Sequence, residues 1–275
     1  MTVDLVISWF MLEERKGRGR RRHGLERPLH PKQVAVIMIF AASLLCVGLS
    51  MHLLSNDQAA TVVGLCTIAT VVISLFGITA TFFVRVSMAD TFAPVTPRKV
   101  LPNEKVLHCR VCDRTVNSRT KHCICCAKCV DGFDHHCDYL NACVGTANIS
   151  CFRKLILSSI IYLIAQTTLA WYTLATQTLE SSVAKVILLL SLPSSAGLVG
   201  LFVLAGFQTY IFASGMTTFQ FAVHLAQKKR KRVTQKLKVP TVRSKPPQQP
   251  IHTISRQATP MVTAEKSEPA TLHLV

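Results

Sequence analysis

Apolar residues fall along this chain in four unbroken runs, Val34–Leu54, Thr61–Val84, Leu155–Leu179 and Val186–Ala213, and none contains an Asp, Glu, Lys or Arg. Crossing a bilayer takes about 20 helical residues, so each run predicts a transmembrane helix. Buried helices of a soluble protein rarely yield four uncharged runs of this length. Pro193 and the glycines at 197, 200 and 206 fit the fourth run, because membrane helices tolerate both residue types, often with a kink or close packing. The expected organisation is a basic N-terminus (1–33), a first helix pair (34–84), a long polar loop (85–154), a second helix pair (155–213) and a basic, largely disordered tail (214–275). The fold class this predicts is an all-α multi-pass membrane protein. No internal repeat is evident.

Composition agrees with that pattern. Hydrophobic residues make up 49% of the chain and charged residues only 16%, which is wrong for a water-soluble globule. A formal net charge of +17 raises the question of nucleic acid, but the basic residues stand in blocks between apolar runs with few aromatics among them, unlike a base-stacking surface. Attachment to anionic lipid fits better and nucleic acid is excluded as a partner. Lys and Arg also orient the chain, because cytoplasmic loops retain them. Residues 1–33 hold eight, 85–154 hold eleven and 215–275 hold eleven, against one, Lys185, in the two short connecting loops. Both termini and the long loop are therefore expected on the cytoplasmic side. Arg15–Gly24 and Lys228–Arg232 read as unstructured basic runs lying against headgroups. From Val233 onward Pro, Thr, Gln and Ser prevail, as in a disordered segment, and the PxxP spacing in Pro246–Pro250 is a weak ligand signal.

The long loop changes the picture. "HCICCAKCVDGFDHHCDYLNACVG", His122 to Gly145, packs six cysteines and three histidines into 24 residues. Met1–Phe10 is too short and too interrupted by Asp4 for a signal peptide, so tight C-x2-C spacing reads as a metal site in a reducing compartment rather than a disulfide framework. A structural zinc takes four Cys or His ligands. Two zincs need eight, and the loop offers Cys109, Cys112, His122, Cys123, Cys125, Cys126, Cys129, His135, His136, Cys137 and Cys143, with His108 and Cys151 at its edges. Spacing allows an interleaved pair of Cys3His sites without dictating which residues are left out. Zinc binding accounts for how a loop with little apolar core folds. It does not account for the surplus. Asp134, His135 and Cys137 have the residue types of an oriented base and an activated thiol nucleophile.

The pattern C-x2-C, then H-C, x2-C-x2-C, x4-DHHC, x5-C and V-G-x2-N, from Cys109 through Cys143 to Asn148, resembles the cysteine-rich domain of the DHHC protein S-acyltransferases. The resemblance covers about residues 105–152, and two helices on each side match that family's topology. It implies a cytoplasmic zinc-binding domain between helices two and three, with one zinc on Cys109, Cys112, His122 and Cys129 and a second on Cys123, Cys126, His136 and Cys143. It leaves Cys137 as nucleophile, with His135 as base and Asp134 as orienting acid. It further implies two structural zinc ions, palmitoyl coenzyme A or another long-chain acyl-CoA as acyl donor, cysteine-containing protein substrates, membrane lipids as surroundings, and an endoplasmic reticulum or Golgi membrane. Arg114, Arg119 and Lys121 stand near enough in sequence to meet the coenzyme's phosphates.

Several positions depart from the family's pattern. Asp138 and Tyr139 stand where Pro-Trp is common, and Ala142 where a second asparagine is common. Thr217–Gln220 carries Gln in place of Glu in a Thr-Thr-x-Glu motif, and Ala89–Pro94 is the nearest counterpart of an Asp-Pro-Gly motif. A carboxylate beside the Cys137 thiol disfavours its thiolate, so slow acylation is expected, with faster chemistry in Asp138→Pro. The competing function is a zinc-stabilised membrane adaptor with weak or no catalysis. A membrane-anchored RING-type ligase is disfavoured, because its cross-braced ligand spacing leaves no DHHC cysteine over.

Overall fold

The computed structural model describes residues 19–56, 61–93, 106–176 and 181–237. Four helices are long and apolar enough to cross a membrane: α1 (Pro31–Ser55), α2 (Val62–Met88), α3 (Ile149–Thr176) and α4 (Ser182–Ala213). A fifth, α5, spans Thr218–Leu237. The described residues up to Ala222 belong to one compact unit and those from Val223 to a second. The expected tail beyond Leu237, including Pro246–Pro250, lies outside the described residues, as do Arg15–Gly17 and Arg18 of the first basic run.

Local chemistry fixes the helix starts. Pro31 opens α1 behind His30, whose ring accepts from the Lys32 backbone N–H, and Thr61 caps α2 by accepting from Gly64 N. Helix α3 begins six residues before the apolar run does and takes in Arg153 and Lys154. Helix α4 continues through Pro193, and an added Cβ at Gly200 or Gly206 would meet nothing within 4 Å, so neither glycine marks a close helix approach.

Helix α3 is the hub. It carries fourteen buried residues, against four to six in each of the other three, and packs on α1, α2 and α4. Apolar side chains such as Val62, Ile73, Leu189 and Val203 point outward, the expected arrangement where lipid is the solvent. Between helices in lipid there is no hydrophobic driving force, so packing contacts and buried polar bonds must hold the bundle. Tyr162 on α3 supplies both: its ring sits against Phe40 (5.8 Å) and Phe76 (5.5 Å), and its hydroxyl shares a 2.7 Å hydrogen bond with Ser43 on α1. Aromatic pairs of this kind are worth about 0.5–1.5 kcal/mol each.

The long loop adds what a helical reading does not contain, three antiparallel hairpins. Strands β1 (Val106–Cys109) and β2 (Arg114–Asn117) pair, as do β3 (Lys121–Cys123) with β4 (Lys128–Val130) and β5 (His135–Cys137) with β6 (Ala142–Val144). Each turn ends on a left-handed residue, Asp113, Ala127 or Asn141. Those three positions are fourteen apart, as are Cys109, Cys123 and Cys137, and as are His108, His122 and His136. The hairpins are therefore an internal repeat, which the sequence reading had not recognised.

The basic run before α1 is not unstructured where it is described. Arg21 N donates to Cys126 O at 3.0 Å, Gly24 N to Ser87 O at 2.7 Å, and buried Lys128 reaches Arg22 O at 3.0 Å. Arg21 is itself buried, its guanidinium spent on the Glu26 and Pro28 carbonyls. The second basic run, Lys228–Arg232, is helical within α5, since a run of Lys and Arg has good helix propensity, and the helix carries on through Val233–Leu237, where disorder was expected.

Candidate active site and metal centres

Cys109, Cys112, His122 and Cys129 converge, and so do Cys123, Cys126, His136 and Cys143; within each group one ligand atom per residue lies within 4.8 Å of the others. The repeat explains the grouping. Each cluster takes two cysteines from one hairpin turn and a histidine and a cysteine from the next hairpin, where His122 pairs across the strands with Cys129 and His136 with Cys143. In the first cluster His122 Nδ1 lies 3.2–4.0 Å from the three sulfurs. In the second, His136 Nδ1 lies 3.4–3.7 Å from its three. No disulfide joins any of the eleven cysteines.

This donor set fits zinc. Burial raises the Cys109 thiol, but hydrogen bonds from the Cys112 backbone and the Cys129 thiol outweigh it and draw the pKa down. Burial and the neighbouring Cys109 and Cys112 thiols push Cys129 up. In the second cluster hydrogen bonds from Cys125, Cys126 and Cys143 draw Cys123 far down, while Cys123 and Cys126 drive Cys143 up. Three crowded thiols cannot all ionise unaided, and a divalent cation bound by three sulfurs and one imidazole removes that conflict. Both clusters can therefore hold a metal ion.

The third hairpin has the repeat's first cysteine, Cys137, but Leu140 where Cys112 and Cys126 stand in the others, and no fourth hairpin follows among the described residues. Cys137 accordingly belongs to neither cluster. Strand alternation then sorts the DHHC residues: His136 turns to the metal cluster, while His135 and Cys137 share the opposite face of β5. His135 Nδ1 is 2.7 Å from Asp134 Oδ2, and its ring stacks edge-on with Phe152 at 5.3 Å. Burial pushes the imidazole pKa down, but Asp134 and Cys137 outweigh it and raise it to about 9. Burial likewise pushes Asp134 up, and the bonds from His135 and Thr218 reverse that and hold it below the usual carboxylate range.

Thr218 anchors this arrangement. Its backbone N–H and its hydroxyl each donate to Asp134, at 2.8 Å. Gln220 leaves that geometry intact: Thr217 N donates to Gln220 Oε1 (2.9 Å) and Gln220 N to Thr217 Oγ1 (3.2 Å), a reciprocal cap that Gln makes as well as Glu. Asn148 fastens the other side. Wholly buried, it accepts from Gly145 N and donates to Cys143 O and Val86 O, joining the last hairpin to α2 and α3. A Cβ at Gly145 would come within 2.7 Å of Asp131 O, so only glycine fits there.

Other sequence-marked positions are less central. Arg114 stacks on Phe92 at 4.3 Å and Lys121 lies 5.7 Å over Phe219, while Arg119 is exposed. Within Ala89–Ala93, Asp90 accepts from Phe92 N and Ala93 N donates to Cys129 O, so the stretch braces β4. Ala142 packs under Gly24, where an added Cβ would be 3.1 Å from it; a larger residue at 142 would lift the N-terminal segment. Sequence reasoning missed that segment, whose only signal was a glycine and a proline inside a basic run.

Four membrane helices, two Cys3His clusters and a single thiol beside a carboxylate-held imidazole define a multi-pass membrane protein with a zinc-type cysteine domain and a thiol site. Residues 102–224 match the family model for DHHC palmitoyltransferases. No curated protein matches the chain.

Proposed function

We propose that this protein is a membrane S-acyltransferase that moves a long-chain acyl group, palmitoyl foremost, from coenzyme A to cysteines of protein substrates. The observation that carries this reading is the Asp134–His135–Cys137 arrangement, kept out of both metal clusters and secured by Thr218. His135 takes the Cys137 proton while Asp134 stabilises the imidazolium. The Cys137 sulfur attacks the thioester carbonyl, the carbon–sulfur bond to coenzyme A breaks, and the leaving thiolate recovers the proton from His135. A substrate thiol then repeats the exchange in reverse, releasing Cys137. Thioester-to-thiol exchange is nearly balanced, so placement and an activated thiolate suffice. Burying the acyl tail among the helices contributes about 0.8 kcal/mol per CH2. Cys109, Cys112, His122 and Cys129, and Cys123, Cys126, His136 and Cys143, hold two zinc ions whose role is to fix the hairpins. Both termini and the cysteine domain face the cytoplasm, and the membrane is that of the endoplasmic reticulum or Golgi.

The experiment is incubation of purified protein with labelled palmitoyl-CoA. A hydroxylamine-sensitive adduct that then passes to a thiol acceptor is expected. Full zinc content with no adduct would leave the adaptor reading in its place.

A further inference from the structure

Asp138 follows the proposed nucleophile, and the inference made here rests on that reading. Its carboxylate is met from two sides. Lys32 Nζ, in the first turn of α1, donates to Oδ2 at 3.1 Å. Oδ1 lies 3.8 Å from His30 Nε2 and 3.9 Å from His136 Nε2. His30 Nδ1 accepts the Lys32 backbone N–H at 3.2 Å, so the ring proton of the neutral imidazole sits on Nε2 and points at the carboxylate. His136 turns Nδ1 to the thiols, which again leaves N–H on Nε2. That buried nitrogen has no hydrogen-bond partner, and a metal-ligating histidine commonly directs this N–H at a carboxylate.

The backbone around Asp138 is held by the same N-terminal segment. Gln33, wholly buried, donates Nε2 to Leu140 O at 3.2 Å and to Gly24 O at 3.1 Å. Asn141 Nδ2 donates to Pro28 O at 3.2 Å. The turn closes with Leu140 N donating to Cys137 O at 3.2 Å. We propose that Asp138 is a positioning residue: with Lys32 and His30 it latches the start of α1 to the turn after Cys137, so that a membrane helix sets the placement of the thiol. The side chains of Lys32 and Asp138 are 45% and 39% exposed, and an exposed pair adds little to stability. The latch therefore acts on geometry rather than on folding.

The test uses the full chain with Lys32→Met, Asp138→Asn, both together, and Asp138→Glu. It reads the rate of hydroxylamine-sensitive labelling by palmitoyl-CoA, hydrogen exchange of the amides in 137–142, and zinc content. Misplacing a reacting group costs steeply. Labelling is expected to slow by about tenfold in each single variant, to slow no further in the double variant, and to recover substantially in Asp138→Glu. Exchange in 137–142 rises in the same variants with zinc content unchanged. Unaltered or faster labelling in Asp138→Asn, or single losses that multiply in the double variant, would overturn the latch. If the parent takes no label, the transferase reading fails by itself, and the latch is judged on exchange alone: a non-additive rise upholds it and no rise overturns it.

Discussion

Cys137 occupies the place that a member of a candidate metal cluster holds in each of the two preceding hairpins, but its turn carries Leu140 instead of a second cysteine, and it joins neither cluster. Its chemistry then depends on neighbours one and two residues away. Cys137→Ser is expected to abolish the acyl adduct while keeping two zincs per chain, read by labelling and metal analysis; a lost zinc would mean that Cys137 is a ligand. His135→Ala should lower adduct formation by a factor on the order of a hundred, in keeping with loss of a general base. Thr218→Val should lower it less, since Asp134 keeps the His135 bond when the hydroxyl is removed. The residue types of this site were legible in sequence, because thiol, imidazole and carboxylate stand within four positions. The setting of Asp138 was not. From sequence its charge should suppress the thiolate and Asp138→Pro should speed labelling; with Lys32 Nζ 3.1 Å away, that charge is offset, and Asp138→Pro is now expected to slow it. A partner 106 residues distant in the chain leaves no local signal.

At the scale of elements, the hairpins have few buried apolar residues beyond Val116, Val130 and Val144, so metal must supply much of their stability. Cys109→Ala and Cys126→Ala should each lower the zinc content by one per chain and destabilise the domain, as should a strong chelator, measured by metal analysis together with hydrogen exchange over β1 to β6. Full zinc retention in either variant would contradict the ligand sets. Gly145→Ala should destabilise the chain measurably, because its Cβ would press on Asp131 O and on Val130. The four membrane helices were readable to within a few residues from the uncharged runs alone. The exception is the start of α3, where Asn148 and the end of β6, rather than hydropathy, set the first turn. The hairpins escaped notice because each strand is three or four residues long, too short for alternation to register against a crowd of ligand residues.

The unit up to Ala222 is a helix bundle organised on α3, with a cysteine-rich domain between its helix pairs whose two clusters can hold metal, and an N-terminal segment that packs on that domain. The Lys and Arg asymmetry predicts that the domain and both termini share the cytoplasmic side. Glycosylation acceptor sites inserted one at a time should be modified only in the two short connecting loops; modification in the loop spanning 85–154 would contradict this. The acylated sulfur can be located by mass spectrometry of proteolytic peptides after brief incubation of the protein with palmitoyl-CoA. A hydroxylamine-labile palmitoyl group is expected on Cys137, absent in Cys137→Ser while the two zincs remain. A palmitoyl group carried instead by Cys125 or Cys151, with Cys137 unmodified, would contradict it.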